Sequence, residues 1–277
     1  MPALIFDLDG TLIDTVYAHV FSWQKAFLEA DMSIDGWRIH RKIGMSGGLF
    51  TRAVSREIGH DLSDEQARKL QDIHDRLFRE LLPANERRPL PGAKEILVEL
   101  RERGITHGIA TSGSRPGIDA SLDALEVPAD MVIVQRGDVA RAKPEPDLFI
   151  ECAKRLGVEP EDCYVIGDAV WDLLAARRAR MLSIGLLSGG YGADELQGAG
   201  AFRVYRDAAE LQSSLDELGV CPAQSSAIRI ALSPPEPFVG PIPRLRPSPL
   251  DTSVVVADAR SRTKIPRAGL HLAGDRL

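Results

Sequence analysis

The sequence predicts an α/β fold in which a parallel central sheet carries an inserted all-helical segment. Three features of the chain predict this fold. Short apolar runs alternate with helical patterns, which is typical of a parallel sheet that helices cover on both faces. The first apolar run is followed by several helical stretches and by no convincing strand. The C-terminal part of the chain shows neither the strand period nor the helix period of apolar residues and is rich in proline.

The predicted strands are short continuous apolar runs, as expected for strands that are buried on both faces. They cover residues 3–6, 105–110, 131–134, 164–166 and 182–186. One helical pattern between them begins after Pro91 and stops at Gly104, and another begins at Pro146 and stops at Gly157. Proline near the start of a helix and glycine just past its end are common boundary signals. We expect ligands to bind at the carboxyl ends of these strands.

Domain boundaries follow from the same patterns. The predicted α/β core is discontinuous and comprises residues 1–14 and 89–221, whereas the helical insert comprises residues 15–88. Within the insert, Ser63-Asp64-Glu65-Gln66 is a capping-box sequence that marks the start of a helix. Half of the 18 prolines lie from Pro222 onward. This composition predicts a poorly ordered tail over residues 222–277.

Composition and charge exclude several classes of partner. A formal net charge of -6 gives no electrostatic reason to expect nucleic acid or an anionic membrane. No run approaches the ~20 apolar residues of a membrane span, and the N-terminus lacks the features of a signal peptide. The three cysteines, Cys152, Cys163 and Cys221, form no CxxC pair, so free thiols are expected rather than disulfides or zinc. We therefore expect a cytoplasmic protein, and its oligomeric state stays open.

The clearest chemical signal is Asp7-Leu8-Asp9-Gly10-Thr11, followed by Asp14, directly after the first predicted strand. Two carboxylates one residue apart at the carboxyl edge of a sheet are costly to gather unless a cation holds them. The alternative is a polar turn, because turns favour Asp-Gly. The complete string after a buried strand is more specific than that dipeptide.

Three further polar clusters follow predicted strands or lie in the loops after them. Gly167-Asp168 ends a strand, and Asp172 falls in the first turn of the next helix, where the helix dipole alone would favour a carboxylate. Thr111-Ser112-Gly113-Ser114 and Lys143 would, taken singly, be an ordinary loop and a solvated lysine. Together with the first motif, these clusters supply carboxylates for a hard cation, hydroxyl donors and one ammonium.

The four motifs, in this order, resemble those of the haloacid dehalogenase superfamily over about residues 3–215. Asp7-x-Asp9-Gly10-Thr11 matches the first motif, Thr111 the second, Lys143 the third, and Gly167-Asp168 with Asp172 the fourth. The resemblance implies a Rossmann-like core and identifies the helical insert as the type of cap that this family carries between its first two motifs. It further implies a Mg²⁺-dependent phosphatase that acts through an aspartyl-phosphate on a small phosphorylated metabolite.

The resemblance also implies a role for each matched residue. Asp7 would be the nucleophile, and Asp9 would protonate the leaving oxygen and later activate water. Mg²⁺ would be held by Asp7, Asp168 and the backbone carbonyl of Asp9, with Asp172 nearby. Thr111 would donate a hydrogen bond to the transferring phosphoryl group, and Lys143 would offset negative charge. The remaining candidates for phosphate binding are Gly10, Thr11, Ser112 and Gly113.

The branch of the family is less clear from the sequence. Asp9 favours phosphoryl chemistry over dehalogenation, because a halide leaving group needs no proton. Thr15, His19 and Trp23 fall where β-phosphoglucomutases carry Thr, His and Trp, although His19 and Trp23 are also i, i+4 neighbours that could simply pack. A phosphoglycolate phosphatase-like hydrolase is therefore preferred over a sugar phosphomutase. A non-catalytic binding protein on the same fold is the third alternative.

Candidate specificity residues lie in the helical insert. Gly44, Gly47 and Gly48 predict a loop, since glycine destabilises a helix interior, and this loop is either substrate-facing or a plain helix–helix turn. Gly47 stands about where the mutases carry a substrate-binding arginine, and Arg52 lies one turn later. His19 completes this group of candidates.

Overall fold

The computed structural model describes residues 2–45 and 47–220. The predicted tail over residues 222–277 and Cys221 lie outside this part of the chain. Within it, six strands form one parallel sheet in the order β3-β2-β1-β4-β5-β6. The strands are β1 Ala3–Phe6, β2 His107–Ala110, β3 Val132–Val134, β4 Cys163–Gly167, β5 Leu182–Leu186 and β6 Arg203–Tyr205.

Helices follow the strands and fill the segment between β1 and β2. The helices are α1 Val16–Glu29, α2 Gly36–His40, α3 Gly47–Glu57, α4 Asp64–Leu81, α5 Ala93–Glu102, α6 Asp119–Ala124, α7 Asp147–Leu156, α8 Val170–Arg178, α9 Ala193–Ala199 and α10 Ala208–Ser213. Short 3₁₀ turns occupy Ala84–Glu86, Arg136–Asp138, Pro160–Asp162, Leu187–Gly189 and Leu215–Leu218. None of the described helices is both long and apolar enough to cross a membrane.

Strand β1 is buried on both faces, as its unbroken apolar sequence predicts. Leu4 and Phe6 pack into the core layer that contains Leu97 of α5. Ala3 and Ile5 point to the opposite face and join the layer built around α7. Because side chains alternate across a strand, four consecutive apolar residues fill both layers at once. The predicted parallel α/β fold is confirmed.

Most predicted element boundaries are close to those observed. The run at residues 105–110 becomes a strand only from His107, and Ile105 packs in the core just before it. Helix α7 ends at Leu156, and Gly157 follows in the left-handed region with φ 71°, as the glycine predicts. Strand β6 has no counterpart among the predicted strands, because it spans three residues and begins with the exposed Arg203.

The segment from α1 to α4 is entirely helical and has a core of its own. Trp23 and Phe27 of α1 pack there with Phe50 of α3, and Leu70 and Leu77 of α4 complete the cluster. The predicted capping box starts α4: Gln66 N donates to Ser63 Oγ at 3.2 Å, and Ser63 N donates to Gln66 Oε1 at 2.8 Å. We call residues 16–81 the helical insert from here on.

The predicted glycine loop is shorter in the structure than the sequence suggests. Gly44 lies in a turn with φ +94°, a conformation that glycine adopts without strain. Gly47 and Gly48 instead form the first turn of α3. The prediction of a loop through residue 48 is therefore wrong, since a helix N-terminus tolerates glycine better than a helix interior does.

Backbone hydrogen bonds join the two chain segments that flank the helical insert. Asp14 N donates to Arg88 O at 3.0 Å, and Leu90 N donates to Leu12 O at 2.9 Å. Between these bonds, Ile13 and Pro89 form an antiparallel bridge. The chain thus leaves and re-enters the α/β part at one place, beside the end of β1.

A turn of the helical insert contacts the α/β part through polar groups. Arg41 O accepts hydrogen bonds from Trp171 Nε1 and Tyr191 OH, both at 3.0 Å. His40 Nε2 lies 2.8 Å from Gly189 O, and Ser112 Oγ donates to Gly44 O at 3.1 Å. We call residues 40–44 the docking turn.

Candidate active site

Three adjacent strands bring the predicted site residues to one edge of the sheet. Asp7 follows β1, Thr111 follows β2 and Asp168 follows β4. Asp7 N donates to Ile166 O at 2.8 Å, which extends the ladder between β1 and β4 up to the site. The edge faces a cavity of about 400 Å³ beneath the helical insert. These residues thus lie at the carboxyl ends of parallel strands, which is where ligands bind in such sheets.

A buried lysine joins two buried carboxylates at the base of the site. Lys143 has no solvent exposure, and its Nζ contacts Asp7 Oδ1 in a short ion pair. Lys143 Nζ also lies 2.7 Å from Asp172 Oδ1, although this contact is an ion pair rather than an aligned hydrogen bond. Asp172 Oδ2 accepts a hydrogen bond from Ala169 N at 3.0 Å. The lysine is therefore part of the site and not a solvated side chain.

The acidic groups at this edge outnumber the nearby positive charge. Burial raises the pKa of Asp7 to about 7; the charge of Lys143 opposes this effect, and that of Asp172 adds to it. Burial, followed by the charges of Asp172 and Asp7, raises the pKa of Asp168 well above its ordinary value. For Lys143, burial lowers the pKa, but the charges of Asp172 and Asp7 outweigh it and leave the pKa raised. Three buried carboxylates share one ammonium, so the cluster carries a net negative charge when all three are ionised.

The three carboxylates fit a divalent cation. Asp7, Asp168 and Asp172 are buried, and one oxygen from each lies within 4.8 Å of the others. Asp172 Oδ1 is fully buried, and the Lys143 ammonium lies 2.7 Å from it. Carboxylate oxygens are the ligands that Mg²⁺ prefers, and a cation would relieve the repulsion among these groups. The Asp9 carboxylate is not part of this cluster.

Asp9 points to the helical insert instead. Its Oδ1 accepts a hydrogen bond from Thr15 Oγ1 at 2.7 Å and lies 3.5 Å from His19 Nε2. Burial acts to raise the pKa of Asp9, but the hydrogen bonds from His19 and Thr15 and the charge of Arg87 bring it down to about 2. Asp7 and Asp9, two residues apart, therefore lie in opposite electrostatic environments.

A hydrogen-bonded chain connects Asp9 to the surface of α4. His19 Nδ1 lies 3.0 Å from His74 Nε2, and His74 Nδ1 lies 2.8 Å from Asp75 Oδ1. Asp75 also accepts from Gln71 Nε2 at 2.8 Å. Burial lowers the pKa of His74 to about 4, against the hydrogen bond to Asp75. A neutral His74 that donates to Asp75 from Nδ1 presents Nε2 to His19 as an acceptor.

The predicted phosphate-binding residues separate into two groups. Ser112 and Gly113 line the cavity beside Thr111, whose Oγ1 accepts a hydrogen bond from Gly113 N at 3.0 Å. Thr11 is fully buried and donates from Oγ1 to Asp168 Oδ1 at 2.8 Å, so its hydroxyl orients a carboxylate. Gly10 has φ +86° and packs against Asp168, where no side chain would fit. Neither Gly10 nor Thr11 lines the cavity in the part of the chain that the structure describes.

Only some of the candidate specificity residues line the cavity. His19, Gly44 and Gly48 line the cavity. Gly47 lies in the first turn of α3, and its contacts lie outside what the structure describes. Arg52 pairs with Asp64 at the start of α4, away from the cavity, so it does not stand in for a substrate-binding arginine here.

Sequence reasoning missed several residues that line the cavity. His74, Asp75 and Phe78 lie on α4, where the sequence pattern predicts only an apolar stripe. His74 and Phe78 are i, i+4 neighbours, which was the available signal for a second, aromatic face. Arg87 lies in the proline-marked exit from the helical insert. No pattern in the sequence distinguishes it from Arg88 next to it.

Comparisons with known proteins agree with this geometry. A family model for haloacid dehalogenase-like hydrolases matches residues 1–180. The chain is 32% identical over 205 residues to the β-phosphoglucomutase of Bacillus subtilis, and the match covers 68% of this chain and 84% of that protein. It is 29% identical over 238 residues to the phosphoglycolate phosphatase of Rhodospirillum rubrum, with 80% and 97% covered.

A solved structure, a hydrolase from Pseudomonas syringae, is similar over most of the described chain. It has a TM-score of 0.76 and 46% sequence identity, and the match covers 79% of this chain and 99% of that one. These matches confirm the predicted fold, a Rossmann-like core with helices, and the predicted class of enzyme. The chain belongs to the haloacid dehalogenase-like hydrolase family.

Proposed function

We propose that this chain is a Mg²⁺-dependent phosphomonoester hydrolase that acts on small phosphorylated metabolites through an aspartyl-phosphate. One observation carries the proposal: Asp7 pairs with Lys143, belongs to the three-carboxylate cluster and lines a cavity that Asp9 also lines. A nucleophile, a cation site and a separate acid in one small cavity are the groups that phosphoryl transfer needs.

In the first step, a carboxylate oxygen of Asp7 attacks phosphorus and forms the aspartyl-phosphate. The bond from phosphorus to the leaving oxygen breaks, and Asp9 donates the proton that this oxygen takes up. The low pKa of Asp9 is opposed by the negative charge of a bound phosphoryl group, since like charges favour the protonated acid. Lys143 stays charged and reduces the repulsion between Asp7 and the phosphoryl oxygens.

In the second step, Asp9 takes a proton from water, and the resulting hydroxide attacks phosphorus. The bond between Asp7 and phosphorus breaks, inorganic phosphate leaves, and Asp7 returns as a carboxylate. Thr111 donates a hydrogen bond to a phosphoryl oxygen throughout. Mg²⁺ held by Asp7, Asp168 and Asp172 would supply charge stabilisation to the phosphoryl oxygens.

The size of the cavity supports a small substrate. Its volume of about 400 Å³ is in the range of sites for single metabolites. The helical insert lies over the sheet edge as a cap, with the docking turn bonded to the α/β part. A covered site excludes polymers and the bulk water that would compete with the leaving group.

The proposed function is tested by steady-state hydrolysis of p-nitrophenyl phosphate. We expect turnover with Mg²⁺, loss of turnover in EDTA, recovery when Mg²⁺ is added back, and no turnover for Asp7→Asn. Asp14→Asn, a change outside the carboxylate cluster, is the matched control. Turnover that persists in Asp7→Asn would exclude the aspartyl-phosphate.

A sugar phosphomutase is the second candidate, and the position of His19 favours it. His19 lines the cavity and contacts Asp9, as expected for a residue that matches the mutase pattern. The position of Arg52, outside the cavity, argues against it. Incubation with β-glucose 1-phosphate and a sugar bisphosphate separates the two: a mutase yields glucose 6-phosphate, whereas a phosphatase releases inorganic phosphate.

A further inference from the structure

Arg87 is a buried cation that no described side chain pairs with. Its relative exposure is 8%, and it lines the same cavity as Asp7 and Asp9. Its Nε is buried and makes no hydrogen bond to any described residue. No described carboxylate lies within ion-pair distance, and Asp9 is the one acidic group whose charge it senses.

An unpaired buried charge is unfavourable, so the position of Arg87 needs a reason. Burial lowers the pKa of Arg87, against the charge of Asp9, yet a guanidinium stays protonated at every pH at which the protein is folded. Proteins retain such groups where a ligand supplies the partner.

Phe78 holds the Arg87 guanidinium in one orientation. The central carbon of the guanidinium lies 4.2 Å from the centroid of the Phe78 ring, and the same ring stacks on His19 at 3.9 Å. A guanidinium that stacks on a ring keeps its N–H groups free around its edge, where they match the two oxygens of a carboxylate or phosphate. Arg87 is therefore oriented to donate hydrogen bonds to an anion, and it contacts the same Phe78 ring as His19.

The other arginines that line the cavity differ from Arg87. Arg115 pairs with Asp119 at 3.1 Å, and Arg136 donates to Val139 O at 2.8 Å. Arg79 is exposed on α4. Among the described residues, Arg87 thus combines burial, a place on the cavity wall and the lack of a partner.

We propose that Arg87 binds a second anionic group, a carboxylate or a second phosphoryl, on the part of the substrate that leaves from phosphorus. The inference rests on the proposed function, which places the transferring phosphoryl group against Asp7 and Lys143. Asp9 protonates the leaving oxygen, and Arg87 lies on the Asp9 side of the cavity beside Phe78 and His19. The substrate is then a small phosphomonoester with an anion at each end.

The kinetic test compares ethyl phosphate with phosphoglycolate, in which a carboxylate replaces the methyl group, and with ethylene glycol bisphosphate, in which a second phosphate replaces a hydrogen of the methyl group. We expect Arg87→Met to lower kcat/KM for one or both substrates with a second anion by about 10- to 100-fold, the worth of a charge-assisted hydrogen-bonded pair. Ethyl phosphate should change less than about threefold. The substrate that suffers the larger loss identifies the anion.

Two further variants serve as controls for charge and for surface position. Arg87→Lys keeps the positive charge but loses the forked N–H groups of the guanidinium, so its loss in kcat/KM should be intermediate. This variant also replaces Arg87→Met in the comparison if Arg87→Met does not fold. Arg76→Met removes a surface arginine of α4 that pairs with Glu29 and Glu80, and it should leave the substrate ratios unchanged. The proposal is overturned if Arg87→Met lowers kcat/KM for all three substrates by the same factor, or if Arg76→Met gives the same selective loss.

A binding measurement keeps this test separate from the proposed function. In an Asp7→Asn background with Mg²⁺, calorimetry gives Kd for phosphoglycolate, ethylene glycol bisphosphate and ethyl phosphate without turnover. Adding Arg87→Met should raise Kd about 10-fold or more for a ligand with a second anion and leave ethyl phosphate unchanged. If the wild type hydrolyses none of the substrates, the proposed function fails, and equal Kd shifts for the three ligands would still overturn the role of Arg87.

Discussion

Lys143 holds two buried carboxylates in place with one charge. It contacts Asp7 and Asp172, and all three side chains are nearly or fully buried. A buried ion pair adds little net stability when intact, whereas removing one partner leaves the other as an uncompensated charge. The lysine therefore links the stability of the sheet edge to the chemistry performed there.

Lys143→Met should lower the free energy of unfolding by about 3–5 kcal/mol, because Asp7 and Asp172 lose their common partner. Urea denaturation in EDTA measures the change. Lys154→Met, on the exposed side of α7, removes a lysine that pairs with Glu151 and should cost less than about 1 kcal/mol. Added Mg²⁺ should restore part of the stability of Lys143→Met, since the cation supplies positive charge to the same carboxylates. An unchanged urea midpoint for Lys143→Met would contradict this account.

The positions of Asp7, Thr111 and Asp168 could be predicted from the sequence because each directly follows a buried strand. The partners of those residues could not be predicted. Thr11 matches the first motif as a phosphate-binding candidate, yet its hydroxyl is committed to Asp168. Arg87 has a neighbour of the same type, and only the fold decides which of the two arginines faces the cavity. Side-chain orientation in a loop depends on packing that no short-range pattern encodes.

Helix α4 carries two functions on adjacent faces. Leu70 and Leu77 pack into the core of the helical insert, while His74 and Phe78 line the cavity. The helical period places both sets at i, i+4 spacing, one beside the other. The apolar face is visible in the sequence, and the second face is hidden because a histidine and a phenylalanine also fit an ordinary core.

His74 should make the stability of the protein depend on pH. Its pKa of about 4 in the folded state lies below the ordinary 6.5, so the unfolded chain binds the proton more tightly. The stability contributed by neutral His74 is complete above pH 6.5 and is lost as the pH falls towards 4, by about 2 kcal/mol between pH 7 and pH 5. His74→Gln should remove this loss, measured by urea denaturation at both values.

The comparison must be made between variant and wild type, because Asp7 has the opposite dependence. The pKa of Asp7 is raised to about 7, so its contribution is present at low pH and is lost as the pH rises from about 4 to 7. Because Asp7 is present in both proteins, its effect cancels when the free energy of unfolding of His74→Gln is compared with that of the wild type. His60→Gln, at an exposed site, is the matched control. His19 and Asp75 face His74 in both proteins being compared.

The helical insert and the α/β part meet above the site through the docking turn. One carbonyl, that of Arg41, accepts hydrogen bonds from both Trp171 and Tyr191. The order of β1 to β5 could be predicted from the sequence, but the contacts of the Arg41 carbonyl join residues that are more than 100 positions apart, which no local pattern reveals.

Trp171→Phe combined with Tyr191→Phe should loosen the docking turn without unfolding the sheet. Each hydrogen bond contributes about 1 kcal/mol, so amide exchange over residues 36–45 should speed up about fivefold per bond lost. Hydrogen exchange followed by mass spectrometry measures this, with residues 163–167 of β4 as the internal reference. Equal protection of the docking turn in the variant and the wild type would show that other contacts hold it.

The position of β1 in the middle of the sheet has a consequence for synthesis on the ribosome. β1, which Asp7 follows, leaves the ribosome before its partner β4, which begins about 160 residues later in the chain. At roughly 5–20 residues per second, β1 waits on the order of ten seconds or more for that neighbour. Both hydrogen-bonding edges of this four-residue apolar strand are open until β2 emerges, and the edge that pairs with β4 stays open until β4 emerges. Chaperone demand during translation should therefore depend on β1, and a circular permutant whose chain begins just before β4 should depend less on chaperones.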